Sequence, residues 1–375
     1  MMLSSFSLAL AITLNVKPLI ASSPANGQHA VKTEAAAAPT KEDRPAYFER
    51  IELSEQASAL MFEAGLLQSV GRLEKSMESL EAALAIYQRL EDDDNEAIAR
   101  MNMGVVYRQL TQYSRAFRQL NIALSLAKRS ADDSRQADIL AQLGATYSAR
   151  ENHQLAIESY REAIALYQKT HNKLDEQDIQ LLLAEQYTEV QSYDRATEIY
   201  EAVRSQANRD NNDELEAYAL LHNGYNYIRQ GLYSPAITVQ TRAASLYQSA
   251  NKPVLAAYAH ASLGRLYSQL NQFGEAETAF QEALRLARAE QQPELEGHVL
   301  ADLARSYLLK NQTETAIATF QMAIEQFEIY RQSELSDDRA SIDHDIFQAY
   351  YQYATLLADW GEEARAREVI EAIAP

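Results

Sequence analysis

Apolar residues along this chain recur at intervals of three and four, and the whole arrangement of apolar and polar positions returns every forty residues. In residues 257–296 one stripe carries Leu263, Gly264 and Tyr267, a second carries Ala276, Phe280 and Ala283, and the polar pair Asn271-Gln272 separates them. Such spacing places each set on one face of an α-helix, and the polar break predicts a helical hairpin. Steps of forty from Tyr267 meet Tyr107, Tyr147, Tyr187, Tyr227 and Tyr307, with Leu67 in the same slot of an earlier unit. The same steps from Gly264 meet Ala64, Gly104, Gly144, Ala184, Gly224 and Ala304. On the second helix they meet Ser76, Ala116, Ala156, Ala196, Ala236, Ala276 and Ala316. Small residues on both partners are what two helices crossing at close range require. A bulky filler follows at Leu80, Leu120, Tyr160, Tyr200, Phe280 and Phe320, and Gln240 breaks the series. Near the end of each second helix Tyr87, Ala127, Tyr167, Ala207, Tyr247, Ala287 and Phe327 alternate large and small, as expected if bulky residues of odd units pack over small ones of even units.

The pattern predicts seven hairpins, at about 57–94, 97–134, 137–176, 178–213, 217–252, 257–294 and 298–336. Their joints are polar, with Glu91-Asp92-Asp93-Asp94 and Asp210-Asn211-Asn212-Asp213 the most acidic. Neither joint has the spaced oxygens, central glycine and terminal glutamate of a calcium loop. Helix capping is the expected role, since an acid at a helix start complements the dipole. Ser234-Pro235 is expected to supply a cap followed by proline at the first helical position. Pro45 to Gln56, with Tyr47, Phe48, Ile51 and Leu53, predicts a short helix covering the first unit. After Phe327 the period breaks, and Ala354, Leu357, Gly361, Ala366 and Ile370 recover it about ten residues late. With Phe347, Tyr350, Tyr351, Tyr353 and Trp360 nearby, residues 337–375 are expected to form capping helices that seal the last unit.

The order L-G-x-x-Y followed by A-x-x-x-F resembles the tetratricopeptide repeat over roughly residues 57–336. Two features depart from the family: its tryptophan is absent from every unit, and the period is forty rather than roughly thirty-four, a longer period similar to that of the forty-residue subclass of scaffold and motor-adaptor proteins. The resemblance implies an all-α fold, a right-handed αα-hairpin solenoid of about seven repeats plus a C-terminal capping pair, whose first helices line a groove for a protein or extended peptide. Carried over residue by residue, the groove would hold Asn102, Val105 and Gln109 in unit two and Gln142 in unit three. Glu185 and Glu189 follow in unit four, then Tyr218, His222, Tyr225 and Arg229 in unit five, and Tyr258, Arg265 and Arg305 in units six and seven. The lysine and asparagine of the family's carboxylate clamp would fall at Met61 and Gly65 or at Met101 and Val105, so binding of a chaperone tail is not implied. The sign changes along the groove from Glu185 and Glu189 to Arg229, Arg265 and Arg305. Those arginines either meet an acidic partner or pair with a neighbouring acid such as Asp302. The tail is also weakly similar to the segment that precedes CHAT domains in bacterial proteins.

Composition narrows the class further. The chain has 375 residues, 47% of them hydrophobic, no cysteine and a formal charge of −19. Disulfides are excluded, and the charge argues against nucleic acid and anionic membrane surfaces as general partners. The apolar run Phe6 to Val16, followed by small residues through Ala25, predicts a secretory signal over residues 1–25, since the run is shorter than the roughly 20 residues of a spanning helix. Residues 26–44 read as a linker and residues 45–336 as the repeat array with its N-terminal cap. The seven histidines show no metal-binding spacing, and no glycine-rich loop implies a nucleotide. Neither catalysis, a cofactor nor a bound metal is expected. The function expected is that of an exported, periplasmic or extracellular adaptor, scaffold or assembly factor. The alternatives are a cytoplasmic regulator that senses a signalling peptide and a regulatory partner of a separate protease-like protein.

Overall fold

The computed structural model describes residues 44–333 and 344–372, and these form sixteen α-helices with no strand among the described residues. In chain order they are α1 (Arg44–Ser69), α2 (Leu73–Leu90), α3 (Asp93–Gln109), α4 (Tyr113–Arg129), α5 (Asp133–Ala149), α6 (His153–Lys169), α7 (Lys173–Glu189) and α8 (Tyr193–Arg209). Then come α9 (Asp213–Arg229), α10 (Tyr233–Ser249), α11 (Pro253–Gln269), α12 (Phe273–Ala289), α13 (Pro293–Leu309), α14 (Thr313–Ser333), α15 (His344–Asp359) and α16 (Glu363–Glu371). The expected leader and most of the expected linker lie outside the described residues.

Each helix from α3 to α13 has 17 residues. Apart from α7, each ends in the same way. After α3, the Gln112 N–H donates to the Tyr107 carbonyl at 2.8 Å and the Thr111 N–H to the Arg108 carbonyl at 2.9 Å. This pair of bonds satisfies the last carbonyls and forces the middle joint residue into the left-handed region. The residues there are Gly71, Glu91, Thr111, Ala131, Glu151, His171, Gln191, Asn211, Gly231, Asn251, Asn271, Gln291 and Asn311, all at positive φ. The forty-residue unit is therefore two equal halves, each a helix and a three-residue joint.

Helix starts follow a second rule. The side chains of Asp92, Asp132 and Asn212 accept the N–H of Asn95, Arg135 and Leu215 at 3.0, 3.0 and 3.1 Å, so the polar joints are caps. Pro253 and Pro293 open α11 and α13, where a missing N–H costs nothing. Ser234-Pro235 differs from expectation, because α10 already starts at Tyr233. Pro235 is tolerated inside the first turn, whose N–H groups have no helical partner in any case. The hairpins also begin about a turn before their apolar stripes, since the first turns are polar. Likewise the helix expected at Pro45 to Gln56 is not separate, but is the N-terminal part of α1.

The helices form two compact bodies, one reaching Gln191 and one starting at Ser192. In the first, α1–α2, α3–α4 and α5–α6 are hairpins, each second helix packs on the next first helix, and α3 touches α5 directly. In the second, α8 packs on α9, and α9–α10, α11–α12, α13–α14 and α15–α16 are hairpins, with α11, α13 and α15 in side-by-side contact. Gly104 lies against Leu120, Gly144 against Tyr160 and Gly264 against Phe280, as the small and bulky slots require. The large-small alternation is used partly as expected. Tyr87 shares a cluster with Ala57 of its own hairpin and Ala99 of the next, whereas Phe327 lies over Gly297 of its own hairpin. The tail forms an eighth hairpin, shifted by about ten residues, in which Tyr350 and Tyr353 are buried and Tyr350 bonds Glu328.

Gln240 is the exception inside the core. It fills the bulky slot opposite Gly224, is 0% exposed, and neither its amide oxygen nor its amide nitrogen has a partner. An unpaired buried amide costs about 1–3 kcal/mol. Gln240→Leu, which copies Leu120 opposite Gly104, is therefore expected to raise stability by about 1–2 kcal/mol. A melting temperature equal to or below that of the wild type would show that the amide is satisfied.

Candidate functional site

The sequence-derived groove residues divide by body. On α9, Tyr218 and His222 stack with ring centres 4.1 Å apart, one helical turn separating them. Tyr225 and Arg229 follow one turn later in the same manner, the guanidinium lying 5.9 Å from the ring centre and an Nη1–H donating to the phenol oxygen at 3.2 Å. The two pairs form a ladder of flat side chains along one helix. Tyr218 is buried, which corrects its assignment to an open groove, and it braces the ladder, while His222, Tyr225 and Arg229 are half-buried. On α11, burial and the nearby carboxylate of Glu294 raise the Tyr258 phenol to about 12, so it stays a neutral donor.

Arg265 and Arg305 are not simply aligned cations. The Arg265 Nη1–H donates to one carboxylate oxygen of Asp302 at 2.7 Å, and the Arg305 Nη1–H donates to the other at 2.6 Å. Arg305 also gives its Nε–H to Gln352 of α15 at 2.8 Å. Burial raises the Asp302 pKa, but the two arginines more than offset this, and its carboxyl is held below the usual range. The triad thus straps α11 to α13 and α13 to α15, and retains one positive charge over three groups. Pairing with Asp302 is the arrangement found, and Gln352 is a partner that sequence reasoning missed. Gln352 holds the slot of Asp302 displaced by the ten-residue shift of the tail, so the register of Ala354 was the signal available for it.

In the first body Asn102 is half-buried, and Gln109 is exposed and accepts the amide of Gln68 at 2.8 Å. Val105 and Gln142 are buried, which corrects their assignment to an open groove. Gln142 instead accepts the Arg108 Nη1–H at 2.9 Å, tying α3 to α5. Glu185 and Glu189 are half-buried on α7. A polar seam between α8 and α9 was also missed. The Asn226 amide donates to Thr197 at 2.8 Å, and the Asn223 amide to Glu201 at 3.3 Å. Asn223 stands where the second, third, fourth, sixth and seventh units carry Met103, Leu143, Leu183, Leu263 and Leu303, and that departure was legible.

Among the described residues there is no cluster of three metal-ligating side chains, and no helix is long and apolar enough to cross a membrane. The sequence profile of the tetratricopeptide repeat matches residues 55–129 and 101–169, and a second profile of the same repeat matches 257–290. No curated protein matches the sequence. Among solved structures, the fold is similar to the apo form of the quorum sensor NprR from B. thuringiensis, with a TM-score of 0.61 and 14% identity over 88% of this chain and 90% of that one. It is similar to aspartyl phosphate phosphatase F from Bacillus subtilis, with a TM-score of 0.54 and 14% identity over 89% and 83% of the two chains. It is also similar to BtubC from P. vanneervenii, with a TM-score of 0.51 and 19% identity over 59% and 92%.

Proposed function

Since this chain is a protein of tetratricopeptide repeats, we propose that it is a non-catalytic scaffold that binds a protein or an extended peptide along the first helices α9, α11 and α13. The observation that carries this reading is the run of half-buried rings and guanidinium groups on those helices, at slots the hairpin cores do not use. Tyrosine and arginine supply large, flat, amphipathic contacts of the kind that dominates binding energy at interfaces. The Arg265–Asp302–Arg305 triad keeps one net positive charge in an otherwise acidic chain, and so favours a partner segment bearing carboxylates. The apolar run Phe6 to Val16 and the small residues after it support export, and an exported chain would meet its partner outside the cytoplasm.

A cytoplasmic peptide sensor is the second reading, supported by the likeness to NprR, itself a quorum sensor. One experiment addresses both. The chain is crosslinked in intact cells, captured with its partners, and both are identified by mass spectrometry. Wild type is expected to hold a partner whose recovery falls with added salt, as screening shortens. Tyr225→Ala with Arg229→Ala is expected to lower recovery at least about tenfold, the equivalent of 1.4 kcal/mol, with helix content unchanged. Equal recovery by the double variant would remove this face from the site. A captured chain beginning between Ser22 and Asn26 supports export, and one retaining Met1 favours the sensor.

A further inference from the structure

The helix that opens the array exposes an apolar stripe, two of whose slots, those of Leu66 and Ala59, are buried in units two to seven. Phe62, Leu66 and Val70 succeed one another at four-residue intervals, and are 60%, 51% and 64% exposed. Ala59, one turn earlier on the same face, is exposed as well. Forty-residue steps from Leu66 reach Val106, Thr146, Gln186, Asn226, Leu266 and Ser306, and every one is buried. Steps from Ala59 reach Ala99, Ile139, Ile179, Ala219, Ala259 and Val299, and these too are buried. In α3, α5, α11 and α13 the second helix of the preceding hairpin packs on the first helix. No hairpin precedes α1 among the described residues. The terminal unit of a repeat array ordinarily carries a polar outer face. This one carries phenylalanine, leucine and valine.

The occupant is constrained by the chain itself. A preceding second helix would need a joint at residues 50–52, by the twenty-residue spacing of the joints, yet α1 runs unbroken through them. Its extension is fixed in place, with Arg50 donating to the Leu90 carbonyl at 2.9 Å and Arg89 paired with Glu49 at 2.5 Å. Arg44 then lies about 30 Å along the helix from the middle of the stripe, at 1.5 Å per residue. If residues 1–21 are removed as the proposed export signal, the only large apolar side chain left between Ser22 and Asp43 is Val31, so that stretch has little to fill the face. A second copy of this chain does have it. If two α1 helices cross antiparallel about a two-fold axis between Phe62 and Leu66, each Phe62 meets the other copy's Leu66. Glu63, near the axis, is drawn towards α2 by the Ser79 hydroxyl at 3.3 Å, which limits repulsion between copies.

We propose that this face of α1 is a self-association surface, on which two copies pair about a two-fold axis. The pairing uses α1, not the helices α9, α11 and α13 proposed above for partner binding. The exposed side chains offer apolar area on the order of 300–400 Å² per copy, given 150–250 Å² for a fully buried aromatic. That is less than the ~800 Å² per partner of a standard stable interface. The dimer is accordingly weak and concentration-dependent.

Sedimentation velocity of the full chain over a wide concentration range tests this. The expected result is a shift from monomer to dimer mass, which Phe62→Ser with Leu66→Ser abolishes while the circular dichroism spectrum is unchanged. The absence of cysteine allows a second readout. Gly65→Cys, close to the proposed axis, is expected to give a covalent dimer under mild oxidation, whereas Leu174→Cys, on an exposed site of α7, is not. Three results would overturn the proposal: a wild type that is monomeric throughout, a dimer that survives the double serine variant, or equal crosslinking at both cysteines. A monomeric wild type whose melting temperature drops in the double variant would assign the stripe to residues upstream of Arg44.

Discussion

Gly264→Ala is expected to destabilise the sixth hairpin by about 1–3 kcal/mol. A Cβ at residue 264 would stand 2.6, 2.7 and 2.8 Å from three ring carbons of Phe280, well inside van der Waals contact. Phe280 is itself 0% exposed, so its ring can yield only by displacing other packed groups. The seventh hairpin shows what accommodation requires, because there Ala304 occupies the small slot and Phe320 the bulky one, both fully buried. That hairpin has settled around the extra carbon, and α11–α12 has not. Gly274→Ala is the matched control, since nothing lies within 4 Å of the added Cβ and the position is helical. It is expected to be neutral or to gain up to roughly 0.5 kcal/mol from helix propensity. Urea midpoints of the two variants against wild type are the measurement. Similar midpoints for both would show that the crossing at residue 264 is not close.

This contrast also shows which parts of the structure were legible in the sequence. Slots such as 264, 276 and 280 impose size limits through contact, and a size limit repeated seven times is visible in a single chain. The joints were legible only as polar breaks. Their left-handed residues are mostly Asn, Gln, Glu, Thr, Ala and His, and only Gly71 and Gly231 in the series are glycine. The twenty-residue half-period was therefore hidden, because backbone bonds and not residue type hold those joints. The candidate site was legible at the level of helices and less so for side chains. Tyr225 and Arg229 share a helix, where a spacing of four suffices to place them in contact. Arg265 and Arg305 depend on which carboxylate their neighbours present, and one acid between two arginines converts an apparent ladder into a strap. Gln352 lay beyond reach of the forty-residue register because the tail resumes ten residues late.

Two half-buried carboxylates are expected to respond to pH in opposite directions, and this is the second large effect. Asp138 has its pKa pushed up to about 6, chiefly by burial. The hydroxyl of Tyr167, which donates to it at 2.7 Å, and Arg135 lower it, while Asp175 and Asp132 add to the rise. Its folded pKa exceeds the unfolded value near 4, so the folded protein binds more protons between about pH 4 and 6. Stability from this group is present in acid and is lost as pH rises through that window. A rise of about two units corresponds to about 2–3 kcal/mol at neutral pH. Asp138→Asn keeps the acceptor for Tyr167 and removes the charge, so it is expected to raise the melting temperature at pH 7.5 and to change little at pH 4. Asp302 is the opposite case. Its folded pKa lies below the ordinary value, so its contribution is present above about pH 4 and is lost as pH falls through the folded pKa. Asp302→Asn leaves Arg265 and Arg305 without their shared anion, and is expected to cost about 2 kcal/mol at pH 7.5, less than a fully buried pair because both arginines retain some solvent. In strong acid, where wild-type Asp302 is itself protonated, the penalty should vanish. Melting temperatures of both variants and wild type between pH 2.5 and 7.5 provide the measurement. Equal shifts at pH 7.5, or an Asp138→Asn effect that does not depend on pH, would show that burial and pairing do not separate these two groups.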